Sequence, residues 1–382
     1  MALFPSKFPH LGISIFPVMS ALAQQHHAIN LAQGFPGFPV SEELIDLVHS
    51  YLRQGHNQYS PMPGIMRLRE VISAKQATLY GTYFDPATEV TIAAGATEAV
   101  FSAISAFVSP GDEVIVFEPV FDIYPPAIEL NGGKVVRIKL RFPDFAYDWQ
   151  EVKAAISPKT KLIILNSPHN PTGKALTWED VEALATILKD SSILVLSDEV
   201  YEHMVFDGKQ HHCLAAHPDL KERTLVIASL GKVFHCTGWR IGYCLAPSSL
   251  SAEFRKTHQF VTFSANTPIQ HAMADYLENE EHYLSLPSIF QAKRDLFRDL
   301  MATGPFTLLH TEGSYFQLAS YEGLSPLGDV AFAQWLTETH KVASIPISVF
   351  YGDGTDHKII RFCFAKEDEE LAQAAERLCA IC

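Results

Sequence analysis

Short runs of apolar residues recur through the middle of the chain. Each closes on polar, Gly or Pro residues, and stretches of helical periodicity lie between them. The clearest are Val90–Ala93, Glu113–Phe117, Leu162–Leu165, Ile193–Ser197 and Thr224–Ala228. Uninterrupted apolar strands, as opposed to alternating ones, are expected where helices cover both faces of a parallel sheet. Residues 97–108 and 178–188 place apolar side chains at helical spacing between such runs. The pattern predicts an α/β fold, a large domain with a mostly parallel central sheet covered by helices.

From about Leu250 the pattern turns helical. Phe316–Leu318, Ala343–Pro346 and Ile359–Cys363 then read as strands of a smaller α+β unit. The expected organisation is a large domain over residues 41–275 and a small C-terminal domain over 276–382, with residues 1–40 packing against the small one. A chain of 382 residues is long enough for two such units.

Composition narrows the function by exclusion. The net charge of −14 opposes binding to nucleic-acid backbones and to anionic lipid. No stretch approaches the roughly 20 apolar residues of a membrane span, and Pro5, Pro9 and Pro17 interrupt any signal-peptide core. The six cysteines, Cys213, Cys236, Cys244, Cys363, Cys379 and Cys382, show no CxxC spacing, so a reducing, cytoplasmic setting is expected. His26-His27 and His211-His212-Cys213 have no partner set at ligand spacing, and no metal site is expected.

Candidate chemistry gathers where apolar runs end, the position at which open parallel sheets bind ligands. Gly95-Ala96-Thr97 follows a strand and opens a helix, so free amides, the helix dipole and a hydroxyl are available to a phosphate. A capped helix start is the plainer explanation, and the further glycines of a dinucleotide fingerprint are missing. Asn170 stands between Pro168 and Pro171 in a loop stiffened by both prolines. Asp198 closes another apolar run, where an ionised carboxylate needs a cationic partner, with Tyr201 three residues on. Lys232 sits in Ser229-Leu230-Gly231-Lys232, ahead of Gly238-Trp239-Arg240-Ile241-Gly242. A fixed lysine beside a second cation is favoured to lose its proton and act as a nucleophile.

One ligand accounts for all these pieces, a phosphorylated pyridine aldehyde bound through Lys232. The ordered set Gly95-Ala96-Thr97, Asn170-Pro171-Thr172-Gly173, Asp198-Glu199-Val200-Tyr201, Ser229-x-x-Lys232 and Gly238-Trp239-Arg240 resembles the fold-type I, class I/II aminotransferases, which use pyridoxal 5'-phosphate. The likeness runs from about residue 10 to the end. Asn30–Pro36, Gln58–Pro61, Ile345–Tyr351 and Ile360–Phe364 are most similar to the branch that holds bacterial methionine aminotransferases, kynurenine aminotransferase and glutamine transaminase K. Gly231 departs from the serine that many relatives carry before the lysine, a change this branch tolerates.

The resemblance implies the remaining roles. Lys232 is the Schiff-base lysine and proton shuttle, Asp198 pairs with the pyridine nitrogen, and Asn170 with Tyr201 holds the ring oxygen. Gly95, Ala96, Thr97, Ser229 and Arg240 surround the phosphate, Phe121 stacks on the ring, and Tyr59 reaches the other subunit's phosphate in a homodimer with shared sites. Arg361 grips the substrate α-carboxylate, assisted by Gly34 and Asn170. Phe16, Phe35, Tyr59, Phe263 and Phe350 surround the substrate side chain. The expected reaction is transamination between an apolar or aromatic L-amino acid and a 2-oxo acid. Methionine is the favoured donor, with phenylalanine, tyrosine, histidine, glutamine or kynurenine also accepted. Elimination from a cysteine S-conjugate is the alternative within the enzyme class, and a non-catalytic cofactor-binding protein is the alternative outside it.

Overall fold

In the computed structural model, which describes residues 6–9 and 11–381, seven strands form one twisted sheet in the order β2-β8-β7-β6-β5-β3-β4. They are β2 (Val90–Ala93), β3 (Glu113–Glu118), β4 (Lys134–Lys139), β5 (Thr160–Asn166), β6 (Leu194–Asp198), β7 (Thr224–Ala228) and β8 (Gly242–Leu245). Strand β8 alone runs antiparallel to the other six. The predicted runs match these strands to within two residues at either end. Pro5 and Cys382 lie outside the described residues.

The direction of β8 positions the site. Parallel strands deliver their carboxyl ends to one edge of the sheet, and an antiparallel strand begins there. Residues after β2, β5, β6 and β7 therefore meet residues just before β8. Register tightens the arrangement, since Asn166 of β5 lies opposite Asp198 of β6, and Ala228 of β7 lies opposite Tyr243.

Five helices precede or accompany the first strands: α1 (Ile15–Gln25), α2 (Glu42–Arg53), α3 (Met66–Tyr80), α4 (Ala96–Phe107) and α5 (Tyr124–Leu130). The helix predicted over 97–108 is α4, and the one predicted over 178–188 spans Trp178–Leu188. Apolar side chains of α4 and α5, among them Val100, Ile104 and Ile128, pack with Val114, Val116 and Ile164 on one sheet face, a buried layer that drives the helices onto the strands.

At the carboxyl end, β9 (Thr307–Leu308), β10 (Phe316–Ser320), β12 (Ile345–Pro346) and β13 (Ile359–Cys363) form an antiparallel sheet in the order β12-β13-β10-β9. A separate parallel pair joins β1 (Ile29–Asn30) to β11 (Val342–Ala343), so the amino-terminal segment pairs with the carboxyl-terminal region. No described helix is long and apolar enough to cross a membrane. Among the described residues no cluster of His, Cys, Asp and Glu is placed to hold a metal ion.

Candidate active site

A cavity of about 360 Å³ opens at the sheet edge where β2, β5, β6 and β7 end. Ala96, Thr97, Asn170, Asp198, Tyr201, Ser229, Lys232, Arg240 and Arg361 all line it, with Phe16, Gly34, Phe35 and Phe121. Residues spread over most of the chain converge because each follows or begins a strand of one sheet, or reaches in from β13 and the amino-terminal segment.

Lys232 lies in a short helical turn, Leu230–Val233, capped by Ser229, whose Oγ accepts from Lys232 N at 3.2 Å. Its Nζ donates to Gly34 O at 2.7 Å and has no carboxylate partner among the described residues. Burial, with Arg361 and Arg240 adding to it, lowers the Lys232 pKa to about 8. About one amine in ten is therefore neutral, and nucleophilic, at pH 7, far more than for a lysine at its ordinary value.

Asp198 is buried at the end of β6, and burial raises its pKa to about 6. The Tyr124 hydroxyl donates to its Oδ2 at 2.6 Å, and Val200 N donates to Oδ1 at 3.3 Å. Asn166 ties this strand end to the next loop: its Nδ2 donates to Asp198 O at 2.9 Å, and its Oδ1 accepts from Asn170 N at 2.7 Å. The two prolines beside Asn170 thus act together with a side-chain brace. Tyr124 and Asn166 were not among the residues the sequence singled out.

Arg361 is completely buried on β13. Its Nη1 donates to Asn170 Oδ1 at 2.6 Å and its Nη2 to Ala32 O at 2.9 Å, while Nε has no partner among the described residues. The guanidinium lies 3.8 Å from the centroid of the Phe316 ring and 5.2 Å from that of Phe16, so two aromatic faces fix its plane. Burial lowers its pKa to about 10, still leaving it a cation at neutral pH. A planar cation held in this way suits two-point recognition of a carboxylate.

At the opposite end of the pocket, the helix α4 directs its first turn inward from Gly95. Gly95 has φ +87°, and a Cβ there would lie 2.7 Å from Arg240 Nη2. Only glycine lets the backbone take this conformation with the guanidinium so close. The result is a cationic, amide-rich corner, a ready anion site.

Three of the expected side chains do not line the cavity of the single chain. Phe350 is buried behind Phe16, with ring centroids 5.9 Å apart. Tyr59 and Phe263 stand on the surface, their rings edge to face at 5.1 Å.

Comparison with known proteins agrees with this geometry. The family model for aminotransferase class I and II matches residues 26–378. The chain is 50% identical to methionine aminotransferase of Escherichia coli over 374 residues, covering 98% of this chain and 97% of that protein. It is 36% identical to kynurenine–oxoglutarate transaminase of Dictyostelium discoideum, covering 98% and 95%. The crystal structure of YbdL from Escherichia coli, described as having a methionine aminotransferase function, superposes with a TM-score of 0.97 at 49% identity and 99% coverage of both chains. With the family model spanning most of its length and a half-identical relative aligned end to end, the chain belongs to the class I and II aminotransferases, which are pyridoxal-phosphate enzymes.

Proposed function

We propose that this aminotransferase moves the amino group of apolar and aromatic L-amino acids to a 2-oxo acid, with methionine a preferred donor. The observation that carries this reading is one pocket holding a lysine bonded only to a backbone carbonyl among the described residues, a buried acid and an arginine set against aromatic rings, behind a largely aromatic wall. The likeness to the Escherichia coli methionine aminotransferase supports the choice of donor.

The residues suit the cofactor. The space beside Gly95, which a side chain would fill, and the amides of α4 with Ser229 and Arg240 suit a phosphate. Asp198 suits a protonated ring nitrogen, Asn170 and Tyr201 the ring oxygen, and Phe121 a face of the ring. Pyridoxal phosphate supplies an aldehyde for amines and a ring that accepts the negative charge left when a proton leaves the substrate Cα.

The chain's own residues do the remainder. Arg361 binds the α-carboxylate through two nitrogens, assisted by Asn170 and Gly34, and so aims the Cα–H bond toward Lys232. The Lys232 amine is placed to take that proton and to hold it for return, a transfer commonly contributing about 10²–10⁴-fold. Asp198, as a carboxylate, holds positive charge on the ring nitrogen. Phe16 and Phe35, with Phe350 behind, exclude water and favour unbranched or flat apolar side chains. Such a wall separates substrates by about 1–3 kcal/mol per methylene, so several neutral amino acids share it.

The exposed aromatics support a homodimer. Phe260 and Tyr59 are 87% and 82% exposed, beside Val261 and Phe263, a concentration of bare apolar surface expected at a subunit contact. Tyr59 would complete the partner's phosphate site and Phe263 the partner's substrate wall. The division at residues 41–275 and 276–382, and a cytoplasmic location, complete the proposal.

Steady-state transamination across about twenty amino donors with several 2-oxo acids tests the reading. Methionine, phenylalanine and tyrosine should lead, and kcat/KM for aspartate equal to that for methionine would refute it. Release of ammonia and pyruvate from a cysteine S-conjugate, faster than transamination of methionine, would favour elimination instead.

A further inference from the structure

Tyr124 stands at the start of α5, with its ring and hydroxyl buried against β6. Among the described residues it is the one side chain that hydrogen-bonds the Asp198 carboxylate. Apart from Val200 N, which donates to Oδ1, the other charged and phenolic groups near Asp198 are engaged elsewhere among the described residues. Lys232 donates to Gly34 O, and Tyr201 packs edge to face on Tyr315 at 5.1 Å. Glu199 accepts from Ser197 Oγ and Leu214 N and is bonded to His211. Tyr147, the remaining phenol near Tyr124, stacks on Trp149. The Tyr124 ring also meets that of Phe121 edge to face at 5.7 Å. One residue therefore touches both the acid and an aromatic ring that line the pocket.

We propose that Tyr124 is a positioning residue for the cofactor ring: its hydroxyl fixes the Asp198 carboxylate in the rotamer that faces the ring nitrogen, and its ring buttresses Phe121. The idea rests on the assignment of Asp198 made above. Without the phenol, a buried carboxylate keeps a single backbone donor, turns more freely and favours its protonated form. A protonated Asp198 no longer stabilises charge on the ring nitrogen, so cofactor affinity and colour should both respond.

Dissociation constants for pyridoxal phosphate, titrated into apo-protein by fluorescence, and visible absorption spectra of the loaded protein test this. The set comprises the parent, Tyr124→Phe, Asp198→Asn and the double variant. Tyr124→Phe keeps the ring and should weaken cofactor binding about tenfold, the size of one hydrogen bond to a charged group, and alter the visible band. In the Asp198→Asn background the same change should alter binding less than twofold, since the carboxylate whose charge and orientation it controls is gone. Parent-like affinity and spectrum for Tyr124→Phe would overturn the proposal. So would an equal loss in the Asn background, or failure of Tyr124→Phe to fold, either of which would make the phenol merely structural. An Asp198→Asn protein with parental affinity and spectrum would instead defeat the assignment of Asp198 itself.

Discussion

Two sets of buried charges flank one loop, residues 198–203, and they are built on opposite terms. On the α3 side, Lys75 donates to Glu202 at 2.7 Å and to the Tyr243 hydroxyl at 3.1 Å, and the Tyr80 and Tyr243 hydroxyls both donate to Glu202. Burial alone would raise the Glu202 carboxyl, yet Lys75 and its neighbours hold it well below the usual range. On the pocket side, Lys232 and Asp198 lie near each other without a hydrogen bond. Burial drives the lysine down to about 8 and the acid up to about 6. The same loop thus carries one charge cluster that is closed and one that is left open.

The difference separates structure from chemistry. A closed pair holds Tyr201 and Asp198 in place by anchoring the residues around them. An open pair leaves the fold with groups whose charged forms are costly, which is the condition for an amine and an acid to work at neutral pH. Active-site residues are therefore expected to weaken the empty protein, and their neighbours across the loop to strengthen it.

The largest expected effect is on turnover. Lys232→Ala should lower the rate of 2-oxo acid release from methionine by about 10²–10⁴-fold while leaving the protein folded. A variant that transaminates at the parental rate would remove Lys232 from the chemistry.

Next comes stability on the closed side. Glu202→Gln leaves Lys75 buried without a carboxylate, and denaturant unfolding should show a loss of about 3 kcal/mol or more. Parental stability would mean that the cluster contributes nothing net.

A smaller effect of opposite sign is expected for the open acid in the cofactor-free protein. Asp198 binds a proton more tightly folded than unfolded. Its favourable contribution is therefore present below pH 3.8 and lost as the pH rises through about 6. Asp198→Asn should accordingly stabilise the empty protein at pH 7 by on the order of 2 kcal/mol and lose that advantage near pH 4. Equal gains at both pH values would show that ionisation is not the cause.

Much of the fold and of the pocket is legible in the sequence because local rules set them. Apolar runs with abrupt polar ends marked five of the seven strands of the large sheet, and the ends themselves carried Asn170, Asp198 and Lys232. Strand β4 escaped because Lys134, Arg137 and Lys139 interrupt its apolar residues, as befits an edge strand exposed on one side. Strand β8 is only four residues long, and its antiparallel placement, which brings Arg240 to the pocket, has no local signature.

Arg361 was identified by resemblance, since an arginine in an apolar strand reads equally as an edge residue. Tyr124 and Lys75 were invisible for a different reason. Neither belongs to a motif, and each acquires its partner only through packing, 74 residues away for Tyr124 and 127 for Lys75. Phe263 and Tyr59 show the reverse: both are exposed in the single chain, and only under the homodimer proposed above would they reach a site.

The contrast between the two lysines is tested most directly by replacing each with the same apolar residue. Lys232 holds its proton less tightly when folded, so the stability present above pH 10.5 is lost as the pH falls through about 8. Unfolding of cofactor-free Lys232→Met and Lys75→Met in denaturant at pH 7 should give changes of opposite sign. Lys232→Met should gain on the order of 2 kcal/mol, and Lys75→Met should lose about 3–5 kcal/mol. Changes of the same sign would contradict the account.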